Sequence, residues 1–194
     1  GGREVPQDHL GAGDQRGGRQ APRHPQGKRP RRHLLGRLVE AFARLGRTYR
    51  DLHLVFVGPS TPRDRSVDER VDRLNLRARF HRLGGVARGD LPALYAHAAC
   101  LAVLSICEGF GLPILEAMAA GTPVVTSNCT AMPEVAGDAA VLVDPLSIDA
   151  IADGLDRVLR DAGFADELRR RGRLRSEQFD WSVTAELTAR VYRD

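Results

Sequence analysis

The chain has 194 residues, 42% of them hydrophobic and 28% charged, which is enough for one well-filled domain with a tail and lies in the ordinary globular range. No apolar run approaches the ~20 residues of a membrane span. The opening GGREVPQDHLGAGDQ has neither an apolar core nor an initiator Met, so it is not expected to be a signal peptide.

The formal net charge of +4 suggests nucleic acid only until it is located. Residues 1–33 hold eight Arg or Lys against three Asp or Glu, while the other 161 hold 21 against 22. The basic character therefore belongs to a Gly/Pro/Arg-rich segment, read as a disordered tail, and no nucleic-acid partner is expected. Lys28 is the only lysine, an Arg bias of the kind GC-rich codon usage produces. Three widely spaced cysteines, Cys100, Cys107 and Cys129, are an odd number and read as buried, reduced thiols of a cytosolic protein. No His stands at ligand spacing beside them, so no metal site is expected.

Apolar residues first fall at helical spacing from Leu34 to Leu45. The run LHLVFV (52–57) reads as a strand stopped by Gly58-Pro59. A helix is expected near 66–76, then a short strand RFHRL (79–83) ended by Gly84-Gly85. Asp90 is placed as the N-cap of the helix LPALYAHAA. The continuous apolar run CLAVLS (100–105) reads as a strand buried on both faces. The loop ICEGFGL leads to a helix PILEAMAAG, with Pro113 at its first position and Gly121 as its stop. The strands PVVTS (123–127) and AVLVD (140–144) follow, then helices near 147–161, 164–178 and 182–193, the last anchored to the core by Trp181.

Strands alternating with helices of about ten residues imply an α/β fold, a parallel sheet with helices on both faces. Such sheets bind ligands at the carboxyl ends of their strands, where the loop 106–112 is placed. A receiver-type signalling domain is excluded, because the strand 52–57 ends in Val57-Gly58 with no phosphoacceptor Asp.

The stretch EGFGLPILE (108–116) carries the chemistry. Gly109 and Gly111 let the backbone turn sharply and leave room for a ligand. The first N–H groups of the following helix have no internal partners, and the macrodipole makes that end positive, so it suits a phosphate. Pro113 lacks an N–H, which leaves Phe110, Gly111 and Leu112 as donors. Glu108 before the turn and Glu116 one turn inside the helix flank it with carboxylates. A nucleotide-sugar offers a matching series of ribose hydroxyls, diphosphate and sugar hydroxyls. The residues alone leave a plainer reading open: a Glu in any first helical turn is favoured by the dipole, and Gly-x-Gly turns are common in α/β domains.

EGFGLPILEAMAAGTPVVTSN, followed by MPEVAGDAAVLVDP, closely resembles the donor-binding signature of glycosyltransferase family 4, and the resemblance runs over about residues 34–194. It implies a Rossmann-like domain, the C-terminal half of a GT-B architecture, in a retaining enzyme. It implies hexosyl transfer, mannosyl or glucosyl, from an NDP-sugar to a glycan, lipid or small-molecule acceptor, with no metal or other cofactor. Carried over, Glu108 contacts the donor sugar and acts in catalysis. Gly109, Phe110, Gly111 and Leu112 hold the diphosphate and sugar, and Glu116 binds the ribose. The family's Pro-Arg-Lys-Asn-Leu run is matched by Pro30-Arg31-Arg32-His33-Leu34, so Arg31 would bind the donor and Arg32 would stand for the catalytic Lys. Arg binds phosphate with a different geometry. Asn128 and Thr130 are further nucleotide-facing candidates and Glu134 a lesser one, whereas His81 and His97 read as strand and surface residues. The resemblance implies a cytoplasmic location, with at most a peripheral contact at the inner membrane face.

Two parts of the family pattern find no counterpart. QAPRHPQG (20–27) stands where the central first strand belongs, yet it has two prolines and no β-branched residue. Residues 1 to about 29 are therefore read as an out-of-frame or miscalled start. No N-terminal acceptor half is seen. The alternative expectation is a nucleotide-sugar-binding fragment without catalysis.

Overall fold

A computed structural model describes residues 31–59 and 65–193, the side chains of residues 31–33 excepted. The readings made for residues 1–30 lie outside the described residues. The elements are α1 (Arg31–Leu45), β1 (Leu54–Phe56), α2 (Arg65–Arg73), a 3-10 turn (Arg77–Arg79), β2 (Phe80–Arg82), α3 (Leu91–His97), β3 (Leu101–Val103) and α4 (Leu112–Ala119). β4 (Val124–Ser127), α5 (Met132–Ala136), β5 (Ala140–Val143), α6 (Ile148–Arg160), α7 (Ala162–Ser176) and α8 (Trp181–Val191) complete it.

All strand pairs are parallel. β1 pairs with β2, and β3, β4 and β5 form a second ladder in that order. This is the α/β arrangement expected, with one break: among the described residues no ladder joins β1 to β3. The two strands flank the place where the resemblance puts its first strand. The break also corrects the reading of 100–105 as buried on both faces, since every residue of β3 is only partly buried. Its outer edge has no strand beside it among the described residues.

A continuous core spans the break. On α1, Leu38, Ala41 and Leu45 pack with Ile151, Leu155 and Val158 of α6, and the same cluster takes in Leu54 and Phe56 of β1 and Ala102 and Leu104 at β3. The adjacent stripe of α1, Val39 and Phe42, packs instead with Val67 and Val71 of α2 and with Phe80. Spacing at three and four residues makes one helix serve both clusters. Each fully buried aliphatic side chain contributes about 1.5–3 kcal/mol, so α1 is the main brace between the sheets.

Local chemistry fixes the helix ends. α1 begins at Arg31, three residues before the apolar spacing starts. α2 stops at Arg73 because Asn75 turns left-handed (φ 55°) and the amides of Asn75 and Leu76 return to Asp72 and Val71, a Schellman closure. α6 and α7 are capped by Ser147 and Asp161, whose side chains accept from the amides of Ala150 and Phe164. Asp90 precedes α3 but makes no side-chain cap, having an αR backbone. Trp181 does not anchor α8: it is 78% exposed, and no residue of α8 is buried. Among the described residues no helix is long and apolar enough to cross a membrane.

Candidate functional site

The site is assembled where β3 and β4 release the chain. Ser105, just past β3, is buried. Its amide donates to the Ser127 hydroxyl at 2.9 Å and its own hydroxyl accepts from the Cys107 amide at 3.3 Å. Its carbonyl accepts from the Cys129 thiol at 3.4 Å. Thr126 adds a bond from its hydroxyl to the Val103 carbonyl at 2.8 Å. Buried serines and a threonine thus lock the carboxyl ends of two strands and aim both following loops outward. Neither serine was singled out from the sequence, and the signal was thin: small hydroxyl residues at the ends of two apolar runs.

From this base the chain runs through Cys107, Glu108, Gly109 and Phe110, all exposed, to α4. Gly111 is the N-cap of α4 with φ 103° and ψ 44°, a backbone that L side chains rarely adopt. Leu112 is the first helical residue and Pro113 the second, one place later than expected for the proline. Among the described residues no backbone hydrogen bond uses the N–H groups of Phe110, Gly111 or Leu112. The N-terminus of α4, with its partial positive charge, follows the loop that leaves β3. The far end of α4 closes on Gly121 (φ 76°), with the Gly121 and Thr122 amides returning to Met118 and Ala117.

One face of α4, Ile114, Leu115, Ala117 and Met118, is buried, and this turns Glu116 to the exposed side. There the Tyr95 hydroxyl donates to Glu116 Oε2 at 3.0 Å. Burial, and then the bond to the Glu116 carboxylate, push the Tyr95 phenol up to about 12, so it remains a donor across the working range. Sequence reasoning missed Tyr95, which reads as one more apolar residue of its helix.

The Phe110 ring meets Phe179 edge-on, 5.8 Å between centroids, and Phe179 lies under the Arg175 guanidinium at 4.8 Å. Arg175 also donates to the carbonyls of Glu134 and Val135 at 2.5 and 3.0 Å. The end of α7 and the turn after it thereby hold both the loop before α4 and α5. Asn128 and Thr130 are exposed beyond β4, and Glu134 is exposed on α5. His97 is exposed and bonded to its own helix at Ala93. His81 is exposed and hydrogen-bonded to His53 at 2.7 Å.

Arg31 and Arg32 lie in the first turn of α1. Cys100 packs against the core, where burial pushes its thiol up to about 11. Cys107, contrary to the buried expectation, is exposed.

The family described as "Glycosyl transferases group 1" matches residues 31–175. The O-antigen chain mannosyltransferase B of Escherichia coli is 44% identical over 111 residues, 57% of this chain and 29% of that protein. The MMP alpha-(1->4)-mannosyltransferase of Mycolicibacterium hassiacum is 37% identical over 162 residues, 80% of this chain and 38% of that protein. Among solved structures, a sucrose-phosphate synthase from Thermosynechococcus elongatus superposes with a TM-score of 0.75 at 31% identity, over 84% of this chain and 42% of that one. The chain spans about a third of the length of the curated relatives it matches.

Proposed function

Because the chain belongs to the group 1 glycosyl transferases, we propose that it is the donor-binding half of a retaining family 4 enzyme. Its substrate on this reading is an NDP-hexose, and the hexose, mannosyl or glucosyl, passes to a glycan, lipid or small-molecule acceptor. The curated relatives described as mannosyltransferases support the hexosyl part. The observation that carries the donor site is that Glu108 and Glu116 flank the N-terminus of α4, whose first amides are unused by the backbone.

In this reading the amides of Phe110, Gly111 and Leu112 receive the diphosphate, and Gly109 leaves space for it. Glu116 accepts from the ribose hydroxyls, and Glu108 from the hydroxyls of the sugar. As the glycosidic bond breaks, negative charge grows on the departing diphosphate. Amides and a helix end already pointing at that position stabilise it without reorganising. Arg31 and Arg32, in the first turn of α1, add cationic charge on this reading, and no metal is called for. The acceptor attacks from the face the diphosphate leaves. Glu108 and Glu116 are not a glycosidase pair, since they serve opposite ends of one donor. The enzyme works in the cytoplasm, with at most a peripheral membrane contact.

A second reading is nucleotide-sugar binding without transfer by this chain alone. Reaction in a cleft needs donor and acceptor held together, and this domain supplies one wall.

Titration of UDP, GDP and ADP against the chain and its Glu116→Ala variant tests the donor site. Loss of a charge-assisted bond of about 1.5–3 kcal/mol is expected, and equal affinity removes the assignment. Incubation with UDP-glucose and GDP-mannose then separates the readings: binding without turnover supports the second, and transfer the first.

A further inference from the structure

Tyr95 stands outside the motif that carries the donor site, yet it bonds both to that site's helix and to the turn behind it. Its hydroxyl donates to Glu116 Oε2 at 3.0 Å. Its carbonyl accepts from the Thr122 hydroxyl at 2.6 Å, and Thr122 is 2% exposed directly behind the stop of α4. Tyr95 also packs against the buried cluster to which Ile114, Leu115 and Met118 of α4 belong. The end of α3 is thus fastened by polar bonds to α4 and to the turn behind it, with an apolar contact as well.

This geometry has a consequence for Glu116. The side chain is exposed and, left to itself, would sample several rotamers, each lost at a cost on binding. A carboxylate has about four lone-pair positions. Tyr95 occupies one of them on Oε2, which fixes the carboxylate plane and leaves Oε1 and the remaining lone pairs for other donors. A vicinal diol needs such a paired acceptor, held still.

We propose that Tyr95 is a positioning residue for the nucleotide, setting the Glu116 carboxylate in the orientation that accepts both ribose hydroxyls. The proposal rests on the reading of Glu116 as the ribose ligand. Tyr95 itself need not touch the nucleotide. It acts through Glu116, so its effect must disappear when either Glu116 or the ribose hydroxyls are removed.

The test uses the full chain with UDP, GDP and ADP, and with the 2′,3′-dideoxy form of whichever binds. Tyr95→Phe keeps the ring and its packing, so the melting temperature should barely move. The variant should bind the ribonucleotide about tenfold more weakly, equivalent to about 1.4 kcal/mol, and the dideoxy form with wild-type affinity. In the Glu116→Ala background the same change should have no further effect, as a double-mutant cycle reads directly. A Tyr95→Phe protein that keeps its preference for ribose, while Glu116→Ala loses it, overturns the positioning role and leaves the ribose ligand standing. A wild type that does not distinguish ribose from dideoxyribose, or binds none of the three, removes the Glu116 reading and the proposal together. Equal weakening toward both nucleotide forms marks Tyr95 as purely structural and also overturns it.

Discussion

Gly111 faces Met132: a methyl group built on Gly111 would lie 3.1 Å from the Met132 sulfur. The same methyl would lie 3.3 Å from Ile114 Cδ1, and Met132 and Ile114 are fully buried. The turn proposed to receive the diphosphate is therefore pressed onto the core, and a side chain at Gly111 would crowd both neighbours.

Gly111→Ala should accordingly damage stability and site together. The backbone at φ 103° costs an alanine about 1–3 kcal/mol, and the contact with Met132 adds to it. Denaturant unfolding should show a loss of at least that size, and nucleotide binding should weaken because the first turn of α4 must shift. A variant with wild-type stability would mean the turn relaxes freely and is not preset for a ligand.

Trp181 offers a second check, since it is the only tryptophan. At 78% exposure, with its helix capped by Asp180 but unburied throughout, it should fluoresce as a solvated indole and be quenched readily by acrylamide. Trp181→Ala should change stability by no more than about 0.5 kcal/mol, the range of surface substitutions. Blue-shifted, protected emission would place the α8 face against another surface.

The contrast between these two residues shows what the sequence could reveal. Gly109, Gly111, Pro113 and Gly121 punctuate the chain, and their backbone preferences are local, so the loop and the limits of α4 were readable within a residue. Strand lengths were not: the ladders span only Leu54–Phe56 and Leu101–Val103, while Leu52, Cys100 and Leu104 outside them also pack on the core. Trp181 was misread because apolar character says that a residue gains by burial, not that a partner is at hand. The bond from Tyr95 to Glu116 joins residues 21 apart, and no periodicity records which residue of one helix meets which of the next. The buried tie between Ser105 and Ser127 was hidden for the same reason.

Acid should loosen the surface of α7. The guanidinium groups of Arg170 and then Arg171 hold the Glu167 carboxylate at about 2, below its ordinary 4.5. A folded-state value below the unfolded one means the contribution is present above about 4.5 and is lost as pH falls towards about 2. The Glu167 side chain is 37% exposed, so the effect is small and screened by salt. Glu167→Gln should melt slightly below wild type near neutrality in low salt, with the gap closing in acid. A gap that persists in acid would trace to packing instead of the ion pairs.

Alkali should act on the tyrosines in the opposite sense. Burial comes first and the Glu116 carboxylate second in raising Tyr95 to about 12 from an ordinary 10. Tyr49, whose hydroxyl donates to Asp156 at 2.8 Å, is raised as well, by burial and then by that bond. A phenol raised in the folded state favours the neutral form there. Its contribution is complete below about 10 and is lost as pH climbs through about 12. Phenolate absorbance followed against pH should show late ionisation that Tyr95→Phe removes in part. Glu116→Gln should bring the Tyr95 transition down without restoring the ordinary value, because the carboxylate is only the second cause and burial remains. A titration unaltered by Glu116→Gln would mean that the two side chains do not share a proton bond in solution, and the orientation of Glu116 would then have to be set by something other than Tyr95.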